Sequence, residues 1–285
     1  MKDTTKMMRR VDRVLKGEET MEGAGVRLKR VLGRDERSTL DPFLMLDMFE
    51  SDDPRDYQAG FPAHPHRGIE TVTYMLKGEM EHGDSTGTRG LIGPGEAQWM
   101  TAGSGIIHQE MPVVSSEGIN GLQLWVNLPQ RAKMKRPQYR DVRKDSIKKV
   151  DLGDGVEARI IAGELEGSAG PVRDLESDIQ FFDVVMNPGS TVSLNVPRGR
   201  TSFALVLDGA ASFEPGGSPV KKGEAAVFAD GDSVHAGASD RGARFLLISG
   251  DPLNEPVFWR GPIVVNSQEE LDRTFEELRN GTFVK

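Results

Sequence analysis

Two short clusters of histidine and carboxylate residues stand out in the first half of the chain. His64 and His66 flank a single proline, and His108 and Glu110 flank a single glutamine. Residues two apart in a β-strand point to the same face, so each pair can direct both side chains to one point. The chain has five histidines, and three of them falling into two such pairs by chance is improbable. The spacing therefore predicts a metal site formed by two neighbouring strands.

The side-chain types limit which metals could bind. The chain contains no cysteine, so the ligands must be imidazole, carboxylate or carbonyl groups. Imidazole with carboxylate suits iron, manganese, nickel, copper or zinc, and open positions on such a site favour Fe(II) with dioxygen. We therefore predict one divalent transition metal, with Fe(II) expected and Mn, Ni, Cu and Zn as alternatives. The spacing does not decide whether Glu70 or Glu110 is the carboxylate ligand. Each lies an even number of residues after a histidine, so a continuous strand would place it on the same face as that histidine.

The remaining two histidines are not predicted to bind metal. His82 follows the turn residue Gly78 and lies among charged residues, so we expect it to be exposed or at a pocket mouth. His235 stands alone in the second half, with no second histidine or glutamate at strand spacing. We expect it to have a structural role.

The elements that would position the clusters are short strands. Glycine occurs 33 times and proline 16 times, which favours frequent turns. Apolar runs rich in β-branched or aromatic residues end at these turn residues, at positions 71–76, 122–128, 181–186 and 203–207. This pattern predicts an all-β sandwich or barrel.

One helix is predicted near the end of the chain. Ser267 and Glu270 have capping-box spacing, and Gly281 is placed to end the helix. The apolar residues between them share one helical face: Leu271, Phe275 and Leu278.

A charged segment at residues 130–149, which contains Pro137, separates two strand-rich halves. The halves form a degenerate repeat, because Leu-x-Gly at 76–78 and Gly-Glu-Ala at 95–97 recur at 207–209 and 223–225. We predict an N-terminal metal-binding barrel at 1–135, a second barrel at 136–255, and a tail with the helix at 256–285.

The formal net charge of −8 argues against direct binding to nucleic acid, since an acidic chain repels phosphates. The first residues have no apolar run typical of a signal peptide. No uncharged apolar run approaches the length of a membrane span. The expected compartment is the cytoplasm, with no membrane association.

The motif His64-x-His66-x3-Glu70-x7-Gly78, followed by Gly95-x12-His108, resembles the paired motifs of the cupin superfamily. Four stretches and the tail more specifically resemble pirins: residues 40–47, 62–68, 98–110, 121–128 and 261–266. The resemblance implies two tandem cupin (jelly-roll) β-barrels, the second one degenerate and empty. It also implies one iron held by His64, His66, His108 and Glu110, and so favours Glu110 over Glu70.

The same resemblance implies a function, because several pirins are quercetin dioxygenases. We expect an Fe(II)-dependent enzyme that cleaves quercetin-like flavonols with O₂ and releases carbon monoxide. Glu110 would be both ligand and catalytic acceptor of the substrate's 3-hydroxyl proton. Candidate walls of an apolar pocket for this small polyphenol, which would equally suit barrel core, are Phe43, Met45, Trp99 and Met100.

Other pirins act as transcriptional cofactors or partners of metabolic enzymes. The alternative is therefore a non-catalytic iron-binding, redox-sensing regulator that binds a protein partner. A cupin isomerase or epimerase is a weaker third hypothesis, because few Arg or Lys residues lie near the two clusters to bind a diphosphate.

Overall fold

The computed structural model describes residues 7–33 and 40–285. The strands up to residue 142 are β1 Val11–Lys16, β2 Glu18–Glu22, β3 Val26–Leu32, β4 Phe43–Ser51, β5 Phe61–His66, β6 Ile69–Lys77, β7 Met80–Asp84, β8 Arg89–Ile92, β9 Ala97–Thr101, β10 Ile106–Pro112, β11 Ile119–Asn127 and β12 Gln138–Val142. The later elements are β13 Lys148–Asp151, β14 Val156–Ala162, β15 Glu164–Leu165, β16 Ser168–Ala169, β17 Ile179–Met186, β18 Thr191–Asn195, β19 Thr201–Ser212, β20 Val220–Lys221, β21 Glu224–Phe228, β22 Ser233–Gly250, β23 Phe258–Arg260, β24 Ile263–Val265 and the helix α1 Gln268–Asn280. The predicted all-β chain with a short C-terminal helix is confirmed.

Residues 18–144 and 253–285 form one compact unit. Its larger sheet has the strand order β12-β9-β6-β11-β4-β3-β2, and its smaller sheet has the order β5-β10-β7-β8. Strand β10 shows why the predicted parity matters. Its residues 106, 108, 110 and 112 are buried, whereas Gln109 is exposed. This period of two turns His108 and Glu110 to the interior together.

The other compact unit comprises residues up to 17 and residues 145–252. Its main sheet follows the path β1-β21-β19-β22-β17-β14-β13, with β18 paired to β22 and β20 to β19. Apolar side chains fill its interior, and Phe213 makes edge-on contacts with Phe228 and Phe245. Such contacts between aromatic rings stabilise a core beyond their buried area.

These units differ from the predicted domain boundaries. The prediction took continuous segments, whereas each compact unit combines two separate parts of the chain. Strand β1 pairs with β21 and so belongs with the later barrel. The tail after residue 252 belongs with the earlier one, where it supplies the β23-β24 hairpin and α1. Strand pairing between residues far apart in the sequence places β1 in the later barrel and the tail in the earlier one. No local pattern in the sequence indicates this pairing.

The degenerate repeat is visible in the backbone. Gly95 N–H donates to the Met75 carbonyl oxygen at 2.8 Å, and Gly223 N–H donates to the Val206 carbonyl oxygen at 2.8 Å. Each acceptor lies three residues before the glycine of its Leu-x-Gly turn. The two units therefore build the same turn from corresponding residues.

Helix α1 has the predicted caps. The Ser267 side chain accepts from Glu270 N–H, and Gly281 ends the helix with a φ of 71°. Leu271 is buried, and Phe275 and Leu278 pack against its cluster. Among the residues that the structure describes, no helix is long and apolar enough to cross a membrane.

A buried lysine ties the tail to the rest of its unit. Lys133 is only 3% exposed. Its Nζ donates to the carbonyl oxygens of Gly68 and Val264, at 2.9 and 3.2 Å, and to Asn127 Oδ1 at 2.7 Å. Burial lowers the pKa of Lys133 to about 7. The three acceptors hold the β24 backbone beside the turn between β5 and β6.

We expect stability to depend on pH through Lys133. Because its pKa is lower in the folded state, the unfolded chain binds more protons between pH 7 and its ordinary value near 10.5. The contribution of Lys133 to the free energy of unfolding therefore rises as the pH rises through that window and falls as the pH falls through 7. Urea unfolding of wild type and Lys133→Met from pH 6.5 to 10.5 measures this difference.

At pH 10 the free energy of unfolding of Lys133→Met should be lower than that of wild type by about 1–3 kcal/mol or more. This is the cost of leaving a buried polar group without a partner, here the acceptors on Gly68, Asn127 and Val264. The exposed Lys135 provides the matched control, Lys135→Met, which should follow wild type at every pH. Parallel curves for wild type and Lys133→Met would contradict the expected pH dependence.

Candidate metal centre

Strands β5 and β10 bring three imidazole nitrogens together. The strands pair antiparallel, with His108 opposite His64 and Ile106 opposite His66. The Nε2 atom of His64 lies 3.0 Å from His66 Nε2 and 3.0 Å from His108 Nε2. Within residues 7–33 and 40–285, these three histidines form the one group whose potential ligand atoms could jointly hold a metal ion, all lying within 4.8 Å of one another.

The protonation of these rings favours metal binding. His64 Nδ1 lies 2.9 Å from the Pro62 carbonyl oxygen, which only accepts, so this nitrogen carries the proton and Nε2 offers a lone pair. Burial, with a smaller contribution from neighbouring histidines, holds the pKa of His66 and of His108 well below the usual range. These two rings are therefore neutral near pH 7 and suited to ligation.

The donor set fits a divalent transition ion. Two nitrogens at right angles around an ion, each at about 2.1 Å, would lie about 3.0 Å apart. The two Nε2–Nε2 distances from His64 are both 3.0 Å. Imidazole nitrogens without thiolate suit iron, manganese, nickel, copper and zinc alike.

Glu110 lies in the same cavity but is not one of the three grouped ligands. Its carboxylate accepts from Thr73 Oγ1 at 2.7 Å and from Gln123 Nε2 at 2.6 Å. Trp125 Nε1 donates to Gln123 Oε1 at 2.9 Å, and an indole only donates. The Gln123 amide must therefore turn its NH₂ group toward Glu110. Ligation by Glu110 remains a prediction.

Glu70, the other candidate carboxylate, faces elsewhere. Strand β5 ends at His66, and the chain turns at Gly68, which has a φ of 78°, before β6 begins. The parity that the sequence suggested therefore does not continue to Glu70. Its carboxylate accepts from Trp99 Nε1 at 3.1 Å and from Thr101 Oγ1 at 2.6 Å.

The predicted exposure of His82 is wrong. His82 is 4% exposed, and its Nδ1 lies 3.3 Å from Nδ1 of His108. The sequence held a signal for this position, since His82 and Asp84 have the same two-residue spacing as the two clusters. His235 is half-buried on β22 opposite Ser193, and no metal-binding group within the described ranges includes it.

His64 and His66 line a cavity of about 650 Å³ in the same unit. Such a volume suits a small organic ligand. Of the four predicted wall residues, Met45 lines the cavity, whereas Phe43, Trp99 and Met100 are buried but do not line it. The aromatic and thioether side chains of the wall are Met45, Phe49, Phe61, Met80, Trp125 and Trp259.

The chain matches known proteins along most of its length. Residues 25–126 match the Pirin family, and residues 181–284 match the Pirin C-terminal cupin domain. A pirin-like protein of Caulobacter vibrioides is 44% identical over 97% of this chain and 99% of its own length. Human pirin is 41% identical over 92% of this chain and 89% of its own. The crystal structure of quercetin 2,3-dioxygenase from Acinetobacter baumannii matches with a TM-score of 0.87 at 32% identity, and the match covers 97% of this chain and 98% of that one.

Both predicted cupin domains are thereby confirmed, the second by the match to the C-terminal cupin domain.

The turn that leads into β10 depends on glycine. Gly103 has a φ of 50°, and a Cβ there would lie 2.2 Å from the Lys135 carbonyl oxygen. Gly105 has a φ of 135°, and a Cβ there would lie 2.9 Å from the Phe283 ring. A side chain at either position would displace the start of β10, and with it His108.

Replacing Gly105 by valine should therefore lower metal affinity. Backbone strain of about 1–3 kcal/mol, relieved by a shift of β10, would correspond to a loss of about 5- to 150-fold. Titration of chelator-treated protein with zinc, monitored by competition with a chromophoric chelator, measures the affinity. Gly216→Val is the matched control, because Gly216 also has a positive φ, 72°, but has open space around it and lies in the other compact unit. Equal zinc affinity in the two variants would contradict the expectation.

Proposed function

This chain belongs to the pirin family, and on that premise we propose that it is a metal-dependent dioxygenase that cleaves the ring of quercetin-like flavonols. The observation that carries the proposal is the convergence of three imidazole Nε2 atoms beside an apolar cavity. The similarity to a protein of known structure named quercetin 2,3-dioxygenase supports it. Oxygen and a small polyphenol are the proposed substrates, and carbon monoxide is a product.

The proposed ligands are His64, His66 and His108, with Glu110 as the fourth. Iron is the proposed metal, and the same groups would accept manganese, nickel, copper or zinc. A bound iron ion would supply open coordination positions and the one-electron chemistry that ground-state dioxygen requires. The protein's contribution is to keep the imidazoles of His66 and His108 neutral, because burial lowers the pKa of both, and to hold His64 in the tautomer that presents Nε2.

The cavity walls suit a flat aromatic substrate. The Trp125 ring meets His66 edge-on with centroids 5.0 Å apart, so an aromatic surface adjoins the histidines. Trp259 extends this surface, with its ring centroid 6.1 Å from that of Trp125. A polyphenol that packs on these rings would expose little of its apolar surface to water, and its hydroxyl groups would select its orientation.

Glu110 is the proposed catalytic proton acceptor. Thr73 and Gln123 each donate to one carboxylate oxygen, so the two hydrogen bonds fix the orientation of the carboxylate. The carboxylate would take the proton of the substrate's 3-hydroxyl group, which makes the ring electron-rich and reactive toward oxygen. A positioned carboxylate typically contributes about 10²–10⁴-fold to such a step.

The test measures oxygen uptake and carbon monoxide release after quercetin is added to iron-loaded protein. Wild type should consume oxygen and release carbon monoxide in equal amounts. Glu110→Gln should lower kcat by about 10²–10⁴-fold. His66→Ala should lose both iron and turnover, with iron measured in the same samples.

Glu70 offers a matched control, since it is also a buried carboxylate that accepts from two side chains. Glu70→Gln should keep wild-type turnover, and an equal loss there would assign the Glu110 effect to folding. Iron binding without oxygen uptake in wild type would overturn the enzyme assignment and support the regulator alternative.

A further inference from the structure

One buried histidine beside the metal centre has no role in the proposed reaction. His82 lies on β7, opposite Glu110 of β10 and Gly90 of β8. Its Nδ1 is 3.3 Å from His108 Nδ1, and its Nε2 is 3.2 Å from Asp84 Oδ2. The side chains of both His82 and Asp84 are fully buried. An unbroken chain of hydrogen bonds thus leads from Asp84 to His108.

The direction of each hydrogen bond follows from Asp84. Asp84 Oδ1 accepts from Thr86 N–H at 2.8 Å, from Thr86 Oγ1 at 2.6 Å and from Thr88 N–H at 3.2 Å, and these three donors favour the ionised carboxylate. An ionised carboxylate only accepts, so His82 Nε2 must carry the proton. The Nδ1 atom of a neutral His82 ring is then an acceptor, and His108 Nδ1 must donate to it. With its proton on Nδ1, His108 presents a bare Nε2 to His64 and His66.

The His82 ring is also fixed in orientation. Tyr139 stacks on it with centroids 4.3 Å apart and an interplanar angle of 26°. Tyr139 Oη donates to Asp141 Oδ1 at 2.6 Å and accepts from Gln98 Nε2 at 2.9 Å. Gly90 leaves room for this ring, since a Cβ there would lie 2.4 Å from Tyr139 Oη. The stack holds the His82 ring in place, so Nδ1 stays directed at His108.

We propose that His82, supported by Asp84, is a positioning residue that holds His108 in the tautomer presenting Nε2 to the metal. This inference rests on the proposed metal site. His82 does not touch substrate or metal; it acts through His108. Outer-shell hydrogen bonds of this kind typically change metal affinity by about 10–100-fold. Together with the Pro62 carbonyl at His64, two of the three ligands would have their tautomers set by a dedicated acceptor.

The first test reads the tautomers directly. Two-bond ¹⁵N–¹H correlation spectra of metal-free protein with ¹⁵N-labelled histidine distinguish Nδ1–H from Nε2–H rings. Each signal is assigned by its disappearance in the variant that lacks that one histidine. The proposal expects Nδ1–H on His108 and Nε2–H on His82. An Nε2–H tautomer on His108 in wild type would overturn it, and this measurement needs no activity.

The second test compares two substitutions at position 82. His82→Leu removes the acceptor, so His108 should populate both tautomers and zinc affinity should fall by about 10–100-fold. His82→Gln should restore most of the affinity, because its amide oxygen can accept from His108 while its NH₂ donates to Asp84. His235→Leu, in the other compact unit, is the control, and its zinc affinity and His108 tautomer should match those of wild type.

The outcomes separate this inference from the proposed function. Unchanged tautomer and zinc affinity in a folded His82→Leu protein would overturn the positioning role while leaving the dioxygenase proposal intact. Conversely, if the tautomers and zinc affinities are as expected but wild type does not turn over quercetin, only the dioxygenase proposal would be overturned. Thermal unfolding of each variant establishes that it is folded.

Discussion

Three imidazole nitrogens held close together are the constraint on which the unit that contains them depends. The Nε2 atom of His64 lies 3.0 Å from Nε2 of both His66 and His108. The antiparallel pairing of β5 and β10 keeps His64 opposite His108. Nitrogens at this separation would repel where no proton lies between them, and a divalent cation would convert that repulsion into attraction. The fold thus provides, from backbone hydrogen bonds and burial, a set of adjacent nitrogens that a divalent cation could hold.

A row of polar side chains crosses the larger sheet behind this site. Directly opposite residues on neighbouring antiparallel strands share a face, and the strand registers place six polar residues in one line. The line is Asp141, Gln98, Thr73, Gln123, Asp47 and Arg30. Thr73 and Gln123, in its centre, orient Glu110 from the facing sheet. At one end the row supports Tyr139 and thereby His82, and at the other Arg30 forms a paired hydrogen bond with Asp47 at the cavity wall.

The sequence predicted the features that depend on period and composition. Strand parity was sufficient to place His108 and Glu110 on the interior face, and capping residues were sufficient for the helix from Gln268 to Asn280. The same rule gave the wrong face for Glu70, because the turn at Gly68 interrupts the strand between His66 and Glu70. The same reasoning was not applied to His82, whose charged neighbours suggested exposure, although successive residues of a strand face opposite ways. Long-range pairing of β1 with β21 left no local pattern to read.

In the part of the second unit that the structure describes, residues 7–17 and 145–252, no group of side chains could jointly hold a metal ion, although the barrel has the same design. The turn hydrogen bonds at Gly95 and Gly223 correspond, but the following histidine comes thirteen residues later in one case and twelve in the other. A shift of one residue moves a side chain to the opposite face of a strand. Val234 and Ala236 accordingly face the apolar core, and His235 between them points away from it. Phenylalanines fill that core instead. The backbone design and the metal chemistry are therefore separable, because the first needs only the turns and the apolar alternation, whereas the second needs the correct parity after the turn.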